Sequence, residues 1–245
     1  MRTILVVIFL VLYAIVSIPL YLVEFIIGKI NSQAKVRSSQ FIVSNAFKVI
    51  MFLSGTKVIV VGRENVPKEA VLFVANHRSY FDIVITYATT PNLTGFVAKK
   101  EIKRIPCISH WMKILNCLFL DRDDIRAGLK TILEGVENIK NGYSMYIAPE
   151  GTRNQEKEML PFKEGSFKLA QKSGCPIVPI AISNTDEIYE NHTPWIHSAK
   201  VVIHYGNPIN LKDLSKEEQK HIGTYVQEII YQMLQENEDL LDTKK

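Results

Sequence analysis

The stretch "VLFVANHRSYFD", residues 71–82, decides how the rest of the chain is read. Its first half, Val71 to Ala75, is a continuous apolar run of the kind that forms a strand covered on both faces. Its second half then sets a histidine, an arginine, a serine and an aspartate within six positions. Ser79 is a natural helix N-cap and Asp82 stands three residues on, so a helix is expected to begin just beyond His77. Asp82 would sit in the first turn, with its carboxylate free to look back toward the imidazole of His77. A carboxylate that holds one ring N–H leaves the other nitrogen as an acceptor and raises its basicity, as general-base work on an alcohol requires. The pair brings no nucleophile of its own, so the substrate would supply the hydroxyl. Taken alone, the two residues fit equally well a helix cap beside a satisfied strand-end histidine. Two ligands are too few for a metal site.

Outward from this stretch, short β-rich runs alternate with helical patterns. "KVIVVG", "VLFVA", "TGFVA", "CLFL", "SMYIA", "PIVPIAI" and "KVVIHY" read as strands. Between them, Ile125, Leu129, Ile132, Leu133, Val136 and Ile139 recur at a helical spacing that ends at Gly142. Ser215 and Glu218 form a capping-box pair ahead of a second stripe, Ile222, Val226, Ile229, Ile230 and Met233. The alternation predicts an α/β fold, a central and mainly parallel sheet flanked by helices. Only the tail "DTKK" reads as disordered.

The chain has 245 residues, 47% of them apolar, enough for one substantial core with an excess left over. That excess lies at the front. Ile4 to Ile27 is long enough to cross a bilayer, although Pro19 interrupts it and Glu24 lies near its end. A polar connector with Lys29, Lys35 and Arg37 leads to a second apolar stretch, Phe41 to Gly55, with Lys48 in its middle. Two helices in one leaflet, or one span followed by an interfacial helix, both fit. A cleaved secretory signal fits less well, because bulky Ile15 stands where the second small residue before a cut at Ser17 belongs. Residues 1–55 are therefore expected to be membrane-associated helices and residues 56–245 the catalytic-sized domain. A net charge of +4 is too small and dispersed for nucleic acid, but suits anionic lipid or phosphorylated substrates. Cys107, Cys117 and Cys175 show neither CxxC spacing nor a nearby histidine pair, so reduced thiols in a cytosol-facing domain are expected.

A second constellation, "YIAPEGTRN", runs from a strand end into Glu150, Gly151, Thr152 and Arg153. Glycine allows close backbone approach, and arginine offers a planar fork of donors suited to phosphate. Glu150 leaves a carboxylate able to orient that arginine. "FVAKKEIKRIP", residues 96–106, sets four cations after another strand, with Lys99 closest to the strand's end. One of these is expected to face the site.

The order "NHRSYFD", "AKKEIKRIP", "LDR", "PEGTR", "VPIAI" resembles the glycerolipid acyltransferase family, and most of all its bacterial 1-acyl-glycerol-3-phosphate acyltransferases. The resemblance covers about Val58 to Asn210, and the N-terminus is also similar. It implies a glycerol-3-phosphate acyltransferase-like fold, with His77 as base and Asp82 as its partner. It also makes Lys99 and Arg153 phosphate ligands, has Glu150, Gly151 and Thr152 complete the acceptor site, and places Pro179 in the lining. The implied reaction moves a fatty acyl group from an acyl thioester, on acyl carrier protein or coenzyme A, to the 2-hydroxyl of lysophosphatidate. No metal or cofactor enters it. The implied location is the cytoplasmic face of the inner membrane, among membrane lipids. Glycerol 3-phosphate or another lysophospholipid as acceptor, and a lipid-binding protein without turnover, are the alternatives.

Overall fold

The computed structural model describes residues 1–156 and 158–242. Every apolar run read as a strand is one: Lys57–Val61 (β1), Leu72–Ala75 (β2), Thr94–Lys99 (β3), Leu118–Leu120 (β4), Ser144–Ile147 (β5), Ile177–Ser183 (β6) and Lys200–Tyr205 (β7). They form one seven-stranded sheet in the order β1-β7-β6-β2-β5-β3-β4. β2 through β6 are mutually parallel, and only the β6–β7 pairing is antiparallel, so β1 and β7 run against the other five. β2 lies at the centre with all four residues fully buried.

The helices are Arg2–Ile30 (α1), Ser32–Ser54 (α2), Tyr80–Thr89 (α3), Pro106–Ile114 (α4), Ile125–Lys140 (α5), Lys168–Ser173 (α6), Lys216–Lys220 (α7) and Ile222–Asp242 (α8). Alternate residues of β2 point to opposite faces. Val71, Phe73 and Ala75 meet Ile85 of α3, Trp111 of α4 and Val43 of α2 in one apolar cluster. Leu72 and Val74 meet Val136 of α5, Leu169 of α6 and Val226 of α8 in another.

Three local expectations change. The polar connector between the apolar stretches is helical, because only Asn31 breaks the chain and its side chain caps α2 through the Ala34 N–H. The Ser215 capping box opens the short α7, and a break at His221 precedes the longer α8. The α5 stripe divides: Ile132, Val136 and Ile139 are buried, whereas Ile125, Leu129 and Leu133 are 87%, 47% and 46% exposed. The cause is position, since β4 beneath α5 is the edge strand and offers less surface than the apolar arc. Of the predicted tail, Asp242 closes α8, and residues 243–245 lie outside the described residues.

α1 meets the rest of the protein through both apolar and polar contacts. Val6 lies in the apolar cluster with Phe9, Tyr13 and Leu20 packed against it, while Trp111 Nε1 donates to Ser17 Oγ at 2.9 Å and Ser38 Oγ donates to Glu24 Oε1 at 2.8 Å. Its outward residues are apolar, Ile4, Leu12, Ile18, Leu22 and Phe25 among them. Among the described residues α1 alone is long and apolar enough to cross a membrane, which makes it a candidate membrane segment. The three cysteines are free thiols, and burial pushes Cys117 up to about 12.

Asn76 closes β2 and sets the direction in which the chain leaves the sheet. Its Oδ1 accepts the Ile182 N–H and its Nδ2 donates to the Ile182 carbonyl, both at 2.8 Å, so a side chain continues the ladder where the backbone departs. Asn76→Ala would leave both buried groups of Ile182 unpaired. It should cost about 1–3 kcal/mol of stability, read from denaturant unfolding in detergent; an unchanged midpoint would remove Asn76 from this role.

Candidate active site

Five parallel strands end on one edge of the sheet, the place where open α/β sheets bind ligands. β2 delivers His77 there and β5, its neighbour, delivers the "PEGTR" loop. β6 delivers the segment from Asn184 onward, β3 delivers Lys99, and β4 delivers Arg122.

His77 Nδ1 lies 2.8 Å from Asp82 Oδ2, and the imidazole stays partly open to solvent while Asp82 is buried. The same carboxylate oxygen accepts the N–H groups of Arg78 at 2.7 Å and Ser79 at 2.8 Å, closing the capping box of α3. The two readings of the sequence motif are therefore compatible, because one carboxylate caps the helix and holds the ring. With Nδ1–H directed at Asp82, Nε2 carries the free lone pair. The other oxygen, Oδ1, accepts a short hydrogen bond from the buried Thr185 hydroxyl.

Glu150 departs from its expected role. It does not orient Arg153; Oε1 accepts the His77 N–H at 2.7 Å and Oε2 the Leu160 N–H at 2.9 Å. The reason is topological, since β2 and β5 are neighbours and Glu150 leaves β5 facing the His77 peptide. Burial raises its pKa, against the two backbone donors that favour its ionised form. Asn154 N–H donates to the His77 carbonyl at 2.7 Å, so the loop grips His77 by both main-chain groups.

Arg153 is oriented instead by Glu190, whose Oε1 receives Nη1 at 3.1 Å, and its guanidinium lies 3.7 Å above the centre of the Tyr80 ring. Glu190 also accepts from the Ser79 hydroxyl and the Tyr80 N–H, so one acid ties the arginine to the start of α3. Gly151, at φ 78°, accepts a hydrogen bond from Arg122 Nη1, and a Cβ there would lie 2.6 Å from Lys163 Nζ. Thr152 is exposed.

Two expected residues are not brought to the dyad. Lys99 is exposed at the end of β3 with no ion pair among the described residues, whereas its neighbour Lys100 pairs with Asp121 and Asp123. Pro179 lies within β6 beside Val74, its ring against Gly206 and near Met233 of α8. That is the sheet face opposite α3. Sequence reading missed Thr185, Glu190 and Lys163, and it quoted Arg122 within "LDR" without giving it a role. The signal available for the first two was their position, just past the end of a strand parallel to β2.

Thr185→Val keeps the shape but removes the donor to Asp82 Oδ1. Turnover should fall roughly tenfold, with Thr185→Ser near wild type; equal rates in steady-state assays for all three would separate Thr185 from the dyad.

The profile of the Acyltransferase family matches residues 57–183. A Saccharomyces cerevisiae protein named 1-acyl-sn-glycerol-3-phosphate acyltransferase is 34% identical over 200 residues, 80% of this chain and 65% of that one. This chain thus spans slightly less than two thirds of the yeast relative. A Borreliella burgdorferi protein of the same name is 29% identical over 81% of this chain and 80% of its own length. The crystal structure of the 1-acyl-sn-glycerophosphate (LPA) acyltransferase PlsC from Thermotoga maritima superposes with a TM-score of 0.80 at 25% identity, covering 97% of this chain and 95% of that one. With that profile covering more than half of its length, the chain belongs to the acyltransferase family.

Proposed function

We propose that the protein acylates the 2-hydroxyl of lysophosphatidate with an acyl group from a thioester donor, forming phosphatidate. The observation that carries this reading is the 2.8 Å contact between His77 Nδ1 and the buried Asp82, which leaves Nε2 as the open acceptor. The acceptor hydroxyl gives its proton to Nε2 as its oxygen attacks the thioester carbonyl. The C–O bond forms, the tetrahedral intermediate collapses with loss of the C–S bond, and the imidazolium returns the proton to the departing thiolate. Asp82 fixes the tautomer and supports the imidazolium. Holding both substrates at one edge supplies further acceleration. The scheme requires no metal ion or cofactor.

The acceptor phosphate is assigned to Arg153, whose place beside Tyr80 puts its charge at the start of the catalytic helix, and to Lys99. Glu150 and Gly151 shape the loop that carries Arg153, and Thr152 lies exposed between them and it. Between α1, α2, α3 and α4 lies an apolar cavity of about 380 Å³, lined by Phe9, Tyr13, Phe47, Tyr87, Phe96 and Met112 among others. Its apolar lining supports a fatty acyl substrate. Residues 1–55 then form the membrane-facing unit, with the outer side of α1 in lipid and residues 56–245 on the cytoplasmic side of the inner membrane. The length and the exposed apolar side of α1 support the membrane contact.

His77→Ala should lower phosphatidate formation by about 10²–10⁴ while lysophosphatidate binding persists; a variant that still turns over would remove the base from the mechanism. Arg153→Lys retains charge but loses the fork, so the acceptor KM should rise while the donor KM holds. A change in the donor KM alone would move Arg153 to the donor site, and acylation of glycerol 3-phosphate in preference to lysophosphatidate would replace the acceptor.

A further inference from the structure

The exposed row of α5 is unusual in company as well as in composition. Ile125, Leu129 and Leu133 lie one turn apart along the helix, with exposed Arg126 and Lys130 each one residue further on. Of the acids on and beside the helix, Asp123 pairs with Lys100, Asp124 caps α5 through the N–H groups of Arg126 and Ala127, and Glu137 pairs with Lys140, while exposed Glu134 follows Leu133 toward the far end of the row. Beneath Ile125 and Leu129 opens a cavity of about 430 Å³ whose other lining includes Arg122, Gly151, Lys163 and Lys168. Gly151 follows Glu150, which holds the His77 N–H. The cavity thus runs from the outer surface of α5 to the loop that grips the catalytic histidine.

A bilayer is the wrong partner for this surface. α1 contributes Val6 to the apolar cluster on the α3 face, whereas α5 contributes Ile132, Val136 and Ile139 to the cluster on the opposite face. A flat membrane against the outer side of α1 leaves α5 turned toward the aqueous phase.

We propose that the exposed face of α5, with the cavity beneath it, docks a small acidic carrier protein that presents the acyl thioester on a long phosphorylated arm. The proposal rests on the acyl-transfer reading and names its donor. The apolar row would take the carrier's apolar contacts, Arg126 and Lys130 its acidic side chains, and the cationic lip of Lys163 and Lys168 the phosphate of the arm. The arm would then pass Gly151 and bring the thioester carbonyl to Nε2 of His77.

The test uses the full chain in lipid nanodiscs, with palmitoyl-acyl carrier protein and palmitoyl-coenzyme A as donors to lysophosphatidate. The variants are Arg126→Glu/Lys130→Glu and Leu129→Gln, both on the surface. Each should lower kcat/KM for the carrier-bound donor roughly tenfold and leave that for the coenzyme A donor within about twofold, and the carrier's advantage in the wild type should shrink with salt. An unchanged rate with the carrier, or equal losses with both donors, would overturn the proposal. So would a loss that tracks weaker binding to anionic vesicles, which would make α5 a membrane contact. If the wild type formed product from neither donor, the acyl-transfer reading would fail, and binding of acyl carrier protein to immobilised nanodiscs would decide docking by itself: equal affinity in wild type and double variant refutes it, weaker affinity in the variant upholds it.

Discussion

The buried carboxylate of Asp82 is the point on which the site is hung. It has no solvent to satisfy it, so its two oxygens must be met by protein donors, and four meet them: the His77 ring, the Arg78 and Ser79 N–H groups and the Thr185 hydroxyl. These come from the end of β2, the start of α3 and the segment after β6. One charge therefore fixes where the strand stops, where the helix starts and how the imidazole is turned. Burial makes the arrangement specific, because a buried carboxylate that lost a donor would cost more than the lost hydrogen bond.

A second layer holds the main chain as the first holds the ring. Glu150 and Asn154 grip the N–H and carbonyl of His77, and Glu190 ties Arg153 to Ser79 and Tyr80. The base and the cation assigned to the acceptor are thus linked through the first turn of α3. Movement of that turn would shift both groups together, which keeps their separation constant whatever the small motions of the edge.

Much of this was legible in the chain itself. The central apolar runs became strands because parallel strands inside a sheet must be apolar on both faces, and the Ser79–Asp82 spacing marked the start of α3 because capping is a local interaction. What stayed illegible depends on neighbours distant in sequence. Glu150 was read against Arg153, three residues away, when its partner is the peptide of His77, brought beside it by strand order. Pro179 was drawn into the site by its block, whereas strand parity places it on the other face. Glu190 and Thr185 carry no motif, and only the sheet order reveals them. The divided stripe of α5 has the same origin, since periodicity reports a helix's apolar arc but not how much sheet lies under it.

On the proposed reaction, the attachment of α1 bears on how the protein would search for a lipid acceptor. Ser17 to Trp111, Tyr21 to Cys107 and Thr3 to Ile196 bond α1 to the catalytic domain at three separate heights. On the proposed membrane contact the anchor is a rigid foot and not a leash. A leashed domain would sample many distances from the lipid surface and meet its acceptor in only some of them, whereas a footed one keeps the catalytic edge at a single standoff. On that proposal its encounters with lipid would become a two-dimensional problem of lateral diffusion, and only a soluble donor would have to arrive from the third dimension.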